Sequence, residues 1–206
     1  MKVIEPSVEI LTPLNGIDIL KHIEQCGRVC YKSEHNISND SYIRFSKNII
    51  ARGHEAVLEH YSFTVKFICD RGVTHEIVRH RLASYCQEST RYCNYSKDNF
   101  GAEITVIKPY YLEENSMAYY AWKQSCKEAE STYFNLLDFG LYPQEARAVL
   151  PTCLKTEIVM TANLREWRHF LKLRCSTAAH PQIREISIML LDQLKREIPI
   201  VFDDIN

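Results

Sequence analysis

Between Arg79 and Tyr92 the chain reads R-H-R-L-A-S-Y-C-Q-E-S-T-R-Y, a run that collects three guanidiniums, an imidazole and several hydroxyls in a protein whose formal net charge is -1. Guanidinium groups make planar, two-pronged contacts to phosphate, and the hydroxyls of Ser84, Ser89 and Thr90 add neutral donors beside them. The composition therefore points to an anion site. A solvated basic turn has the same composition, so the spelling and its context must decide.

The spelling is R-H-R-x7-S, with Arg79, His80, Arg81 and Ser89 on the fixed positions and Arg91-Tyr92 continuing it. Upstream stands G-H-E-A-V-L-E-H, from Gly53 to His60. Downstream come A-R-A-V-L-P from Ala146 to Pro151, then Asn163-Leu164-Arg165, then Leu173-Arg174. In this order and spacing the segments resemble the flavin-dependent thymidylate synthases, and the resemblance covers most of the chain. It implies FAD- and NADPH-dependent reductive methylation of deoxyuridine monophosphate (dUMP) to dTMP. Carbon would come from 5,10-methylenetetrahydrofolate, and no cysteine nucleophile would be used.

On that resemblance the dUMP positions are Glu76, Arg79, Gln87, Glu88, Ser89, Thr90, Arg91, Arg147 and Arg174. A dianionic phosphate calls for guanidinium and hydroxyl donors, which Arg79, Ser89, Thr90, Arg91 and Arg147 supply. Uracil is a poor nucleophile at C5 unless negative charge on O2, N3 and O4 is stabilised, and Arg174 matches the family arginine that does this. It is the catalytic candidate. Ser89 has no adjacent base in the motif and is cast as a positioning donor. The flavin positions are His54, the backbone at Ala56, Glu59, Arg79, His80, Arg81, Gln87, Asn163, Arg165 and His169. Two departures stand out: many members carry Asn-Glu where this chain has Cys86-Gln87, and an amide is common where His169 stands. Both keep hydrogen-bonding capacity and alter charge.

The rest of the composition limits the alternatives. Only six glycines are present, and neither G-x-G-x-x-G nor G-x-x-x-x-G-K-[ST] occurs, so a nucleotide site must be built from side chains. Asp plus Glu number 26 against 25 Lys plus Arg, which argues against a nucleic-acid-binding module that would use Arg79, Arg81, Arg91 and the nearby tyrosines for phosphate contact and stacking. A flavoprotein reductase without methyltransfer is the other alternative, and Arg147 and Arg174 weigh against it. No apolar run is long enough to cross a bilayer, so a cytoplasmic protein without membrane contact is expected. The eight cysteines show neither a disulfide framework nor C-x2-C spacing. No metal is expected, and Cys26 and Cys30, at i,i+4 among apolar residues, are read as core.

These residues need elements to carry them. Apolar periodicity predicts helices from Ile17 to Tyr31 and from Ser41 to Arg52, the second capped by Gly53. Alternation of Tyr61, Phe63, Val65 and Phe67 with polar neighbours predicts a strand. A short helix from Val73 to His80 would bring the signature to a C-terminal end, where carbonyls favour cations. A strand is predicted at Ile104 to Ile107, and the alternation of Lys155 to Thr161 favours another, with a helix as the alternative there. Helices follow at Asn115 to Leu137, Pro143 to Leu150, Asn163 to Arg174 (Phe170 and Leu173 inward) and from Pro181 to beyond Leu194. The fold class is α/β in the α+β sense: one domain over 1–206, a mixed or antiparallel sheet flanked by helices, and no Rossmann series. The resemblance adds a homotetramer with shared active sites.

Overall fold

The computed structural model describes residues 1–97 and 101–206. In chain order the elements are β1 (Lys2–Ile4), β2 (Ser7–Ile10), α1 (Gly16–Arg28), α2 (Ser41–Ala51), β3 (Ser62–Asp70), α3 (Arg71–Ile77) and β4 (Ala83–Gln87). There follow β5 (Thr105–Ile107), α4 (Met117–Asp138), α5 (Pro143–Ala146), β6 (Lys155–Asn163), α6 (Leu164–Arg174) and α7 (Pro181–Glu197). Strands β2-β3-β6-β4 form a four-stranded sheet, while β1 and β5 pair in parallel. The α+β class holds. Strands β1, β2 and β4 were not anticipated: β1 and β2 have only three and four residues, too few for the alternation of Val8 and Ile10 to stand out, and β4 mixes polar and small residues.

Contacts divide the chain into two compact units. One comprises Met1–Ser7, Phe67–Arg79 and Cys86–Ile158; the other comprises Val8–Lys66, His80–Tyr85 and Val159–Asn206. The core of the first gathers Tyr95, Ile104, Val106, Cys126, Tyr133, Ala146 and Leu154. In the second, Phe63 stacks on Trp167 with ring centroids 5.1 Å apart, and the indole N–H donates to the Phe63 carbonyl at 3.2 Å. That bond lets a large aromatic be buried without an orphaned donor.

The strand pattern at Phe63, Val65 and Phe67 is realised as a buried face, and Thr156, Ile158 and Met160 bury the matching face of β6. Gly53 ends α2 with φ +67°, a left-handed geometry that side chains disfavour. Gly27 allows a close approach, since a Cβ there would sit 2.4 Å from the Phe45 ring.

Three expectations need correction. The helix before the signature stops at Ile77, with Val78 as its C-terminal cap, instead of reaching His80. The Tyr85 hydroxyl donates to the His80 carbonyl at 2.5 Å, folding the Arg79–Arg81 run back toward β4. Leu173 is half exposed, because the buried stripe of α6 runs through Leu164, Trp167, Leu171 and on to Cys175, and Leu173 lies opposite it. Cys30 is exposed and Cys26 only half-buried, since α1 ends at Arg28 and a 3-10 turn turns the second thiol outward.

Candidate active site

The late helix α6 begins at Asn163, whose side-chain oxygen accepts the Glu166 backbone N–H at 2.9 Å. One side of α6 buries the apolar stripe. A neighbouring side, carrying Glu166 and Phe170, meets His80, whose ring lies 4.8 Å from Phe170 and 5.6 Å from His169, both edge-on. His80 is buried. Its Nε2 accepts from Arg174 Nε at 3.0 Å, and its Nδ1 lies 3.2 Å from Glu166 Oε1. Because guanidinium is donor-only, Nε2 must be the acceptor and Nδ1 must carry the proton. Burial, then the charges of Arg174 and His169, lower the His80 pKa to about 4. At neutral pH the contact with Glu166 is therefore a hydrogen bond from a neutral imidazole to a carboxylate, not an ion pair. Burial also pushes the Glu166 carboxyl up, with His169 partly opposing.

This carries a pH prediction. The unfolded chain protonates His80 near its ordinary 6.5, while the folded chain resists until about 4. Between those values the unfolded state holds the extra proton, so stability is full above 6.5 and falls on acidification toward 4. The shift corresponds to about 3 kcal/mol. Urea denaturation of the wild type and His80→Gln across that window should show the steeper loss in the wild type; identical slopes would contradict it.

The early segment joins the same unit. Glu59 pairs with Arg165 of α6 at 2.5 Å, while His54 and Ala56 line a cavity of about 590 Å³ together with Arg28, Arg52, Tyr31 and Phe45. The segment is pinned from beneath by Arg168, which is wholly buried. Its guanidinium donates to Glu55 through Nε and Nη2, each at 3.0 Å, to Asp204 at 2.7 and 2.8 Å, and to the Val201 carbonyl. Burial alone would raise the Glu55 carboxyl, but Arg168, helped by Lys172, holds it below its ordinary value.

The other unit carries most of the expected phosphate group. Arg147 donates to Thr90 Oγ1 at 3.0 Å, and Ser89 Oγ accepts the Arg91 N–H at 3.3 Å, so these residues converge on one turn after β4. Arg91 also lies over the Tyr92 ring. Glu88 is engaged by the Tyr95 hydroxyl at 2.8 Å and by Lys155 at 3.0 Å. The Gln87 amide donates to Thr74 and Thr156 at 3.1 and 3.4 Å. Arg79 is exposed, its Nε donating to the His75 carbonyl at 3.3 Å, as expected of a cation at a helix C-terminus. Arg81 is likewise exposed, and Glu76 is half-buried on α3.

The structure thus brings His80, Arg174 and His169 into one cluster and joins Glu59 to Arg165. Sequence reading missed Glu166 and Arg168. An Asn followed three residues later by Glu reads as a helix-start signal, which hides that the Glu166 carboxylate goes to His80. His80, Glu166 and His169 also place one ligand-type atom each within 4.8 Å of one another; the Arg174 guanidinium on His80 opposes a cation there.

The architecture has solved counterparts. A Streptomyces cacaoi UMP/dUMP methylase, PolB, solved with 5-Br dUMP, superposes with a TM-score of 0.80 over 98% of this chain and 96% of its own at 20% identity, which establishes a shared fold. Residues 17–200 match the family described as thymidylate synthase complementing protein. The flavin-dependent thymidylate synthase of Pyrococcus furiosus is 35% identical over 89% of this chain and 75% of its own length; that of Mycobacterium bovis is 36% identical over 97% and 84%. The chain belongs to the flavin-dependent thymidylate synthase family and is an enzyme of that class, dependent on a flavin.

Proposed function

We propose that this chain, acting as one synthase domain over 1–206, methylates C5 of dUMP to give dTMP. Methylenetetrahydrofolate supplies the carbon, FAD recharged by NADPH supplies the hydride, and no cysteine attacks the base. The observation that carries the reading is the anchoring of Arg174 on His80 at the end of α6. A guanidinium held in this way is preorganised for the anionic edge of an activated uracil. The substrate named for the Streptomyces cacaoi methylase adds support.

The residues divide the work by chemistry. Arg147, Arg91, Ser89 and Thr90 bind the phosphate, with Arg79 beside them, while Glu76, Gln87 and Glu88 orient the nucleoside. The set that would hold FAD is His54, the Ala56 backbone, Glu59, His80, Arg81, Asn163, Arg165 and His169, with Arg79 and Gln87 at its border. The cavity at His54 and Ala56 fits part of the cofactor, because it offers the Arg52 guanidinium to a phosphate and Tyr31 to a ring system, while Arg28 there is paired with Glu24 at 2.6 Å and lies over Phe45. When bound, FAD supplies the hydride. At about 590 Å³ that cavity suits one ligand and cannot enclose FAD, dUMP and folate together. Neighbouring chains of a homotetramer with shared sites supply the remaining walls. No helix among the described residues is long and apolar enough to cross a membrane; work in the cytoplasm without membrane or nucleic-acid partners is part of the proposal.

Anaerobic single turnover of the reduced, FAD-loaded protein with dUMP and isotopically labelled methylenetetrahydrofolate tests the reading. Label in the dTMP methyl is expected. Flavin oxidation without labelled dTMP would leave a reductase, and a colourless protein would leave a binding module.

Thiol chemistry has its own test. Cys126 and Cys153 face each other at 3.5 Å, and the hydrogen bond from Cys126 lowers the Cys153 pKa. Cys153 is therefore the strongest rival nucleophile. Cys153→Ala, Cys86→Ala and Cys93→Ala should each retain turnover within about threefold, against the far larger loss expected for a missing nucleophile. Abolished turnover in a folded variant would reinstate a covalent thiol.

A further inference from the structure

We propose that Glu166 is a positioning residue for Arg174, acting through the tautomer of His80. The inference rests on the role given to Arg174 above. Its basis is a three-residue relay: the Glu166 carboxylate accepts from His80 Nδ1 at 3.2 Å, and His80 Nε2 accepts from Arg174 Nε at 3.0 Å. Glu166 and His80 are both buried, with relative exposures of 7% and 4%, so water is a poor substitute for either partner.

An imidazole offers one acceptor only while it is neutral, and its tautomer decides which nitrogen that is. With a carboxylate at Nδ1, the proton stays there and Nε2 presents its lone pair to Arg174. Without the carboxylate only the Arg174 donor favours that arrangement, and a buried Nδ1–H would be left without its acceptor. The alternative tautomer would set the Nε2–H against the Arg174 Nε–H, two donors 3.0 Å apart. Arg174 would then lose its contact with His80, and the orientation that this contact gives its planar fork would change. His169, the other titratable side chain against the His80 ring, stands edge-on and bears no hydrogen bond to it among those resolved. The Tyr85 hydroxyl donates to the His80 carbonyl. Glu166 is thus the residue that orients the pair.

The test reads the tautomer directly. In the 206-residue chain with 15N-labelled histidine, long-range 15N–1H correlation at neutral pH should show His80 as the Nδ1–H form, assigned by loss of its signals in His80→Gln. Glu166→Gln keeps an acceptor oxygen and should retain both this tautomer and a kcat within about threefold of wild type. Glu166→Leu should move His80 toward the Nε2–H form. It should also lower kcat for dUMP methylation about ten- to a hundredfold, the range seen when a supporting partner is lost, with a smaller change in KM. If the leucine variant does not fold, Glu166→Asp, with its carboxylate drawn back by one methylene, gives the same two readings. An Nε2–H His80 in the wild type would overturn the proposal, and so would a leucine variant that keeps the Nδ1–H tautomer and normal kcat. The tautomer is read without substrate. A Glu166-dependent tautomer in a chain that does not methylate dUMP would therefore support the coupling and sink the assigned chemistry alone.

Discussion

Arg174→Ala is expected to lower the rate of dUMP methylation by about two to three powers of ten, the loss typical when a donor aimed at developing negative charge is removed. The fold and flavin binding should survive, because Arg174 occupies the last turn of α6 and is only half-buried, outside the stripe of Leu164, Trp167 and Leu171. Arg174→Lys should recover little, since an ammonium cannot both donate laterally to His80 and present a planar fork to the pyrimidine. Single-turnover kinetics at saturating dUMP separate this from weakened binding. Near-normal turnover in the alanine variant would remove Arg174 from the chemistry. Arg174→Ala mixed under subunit exchange with His54→Ala would further report whether different chains contribute to one site, through partial recovery of activity.

Arg168→Met should cost about 3–5 kcal/mol of stability, the range for removing one partner from a buried ionic group. That is a large share of the stability of a typical domain. The guanidinium joins Glu55 in the early segment to Asp204 and the Val201 carbonyl near the C-terminus. Methionine fills the volume but leaves Glu55 with only Lys172, at 3.2 Å. The loss should depend on pH in a definite direction. Burial would raise Glu55, but Arg168 with Lys172 depresses it; the hydrogen bond from Arg168 depresses Asp204. Their contribution is therefore present above their ordinary values of 4.5 and 3.8 and disappears as pH falls through the depressed ones. Urea titrations at pH 7 and pH 3 should show wild type and variant converging in acid. A difference below about 1 kcal/mol at pH 7 would mean that the network is energetically idle.

Much of the site was legible locally. The signature at Arg79–Arg81 and Ser89 offers a candidate anion site by residue type and spelling, and the register of Asn163, Arg165 and Arg174 follows from one helix with a capping side chain. Element positions were read from period: β3 and β6 alternate, and α1 and α2 repeat at helical spacing. Leu173 and Cys30 were misplaced for a common reason. Periodicity tells which residues share a face, not where a helix stops or which faces its neighbours cover. The strand at Ala83–Gln87 carried polar and small residues and could be recognised only from its partners in the sheet.

What the sequence determined alone is the chemistry available: a concentration of guanidiniums, imidazole and hydroxyls suited to an anion, and no glycine loop to cradle a dinucleotide. The tertiary structure decided how that chemistry is poised. Glu166 is 86 residues from His80 in the chain, and no spacing rule connects them. Their meeting follows from His80 packing on a second face of α6. Burial then favours the neutral imidazole, and a carboxylate on one ring nitrogen and a guanidinium on the other both select the same tautomer. Arg168 looks equally unremarkable in sequence, one more cation on an amphipathic helix. Its fixed charge is stabilised by two carboxylates from distant segments, because a buried ion must find its partners through packing when water is excluded.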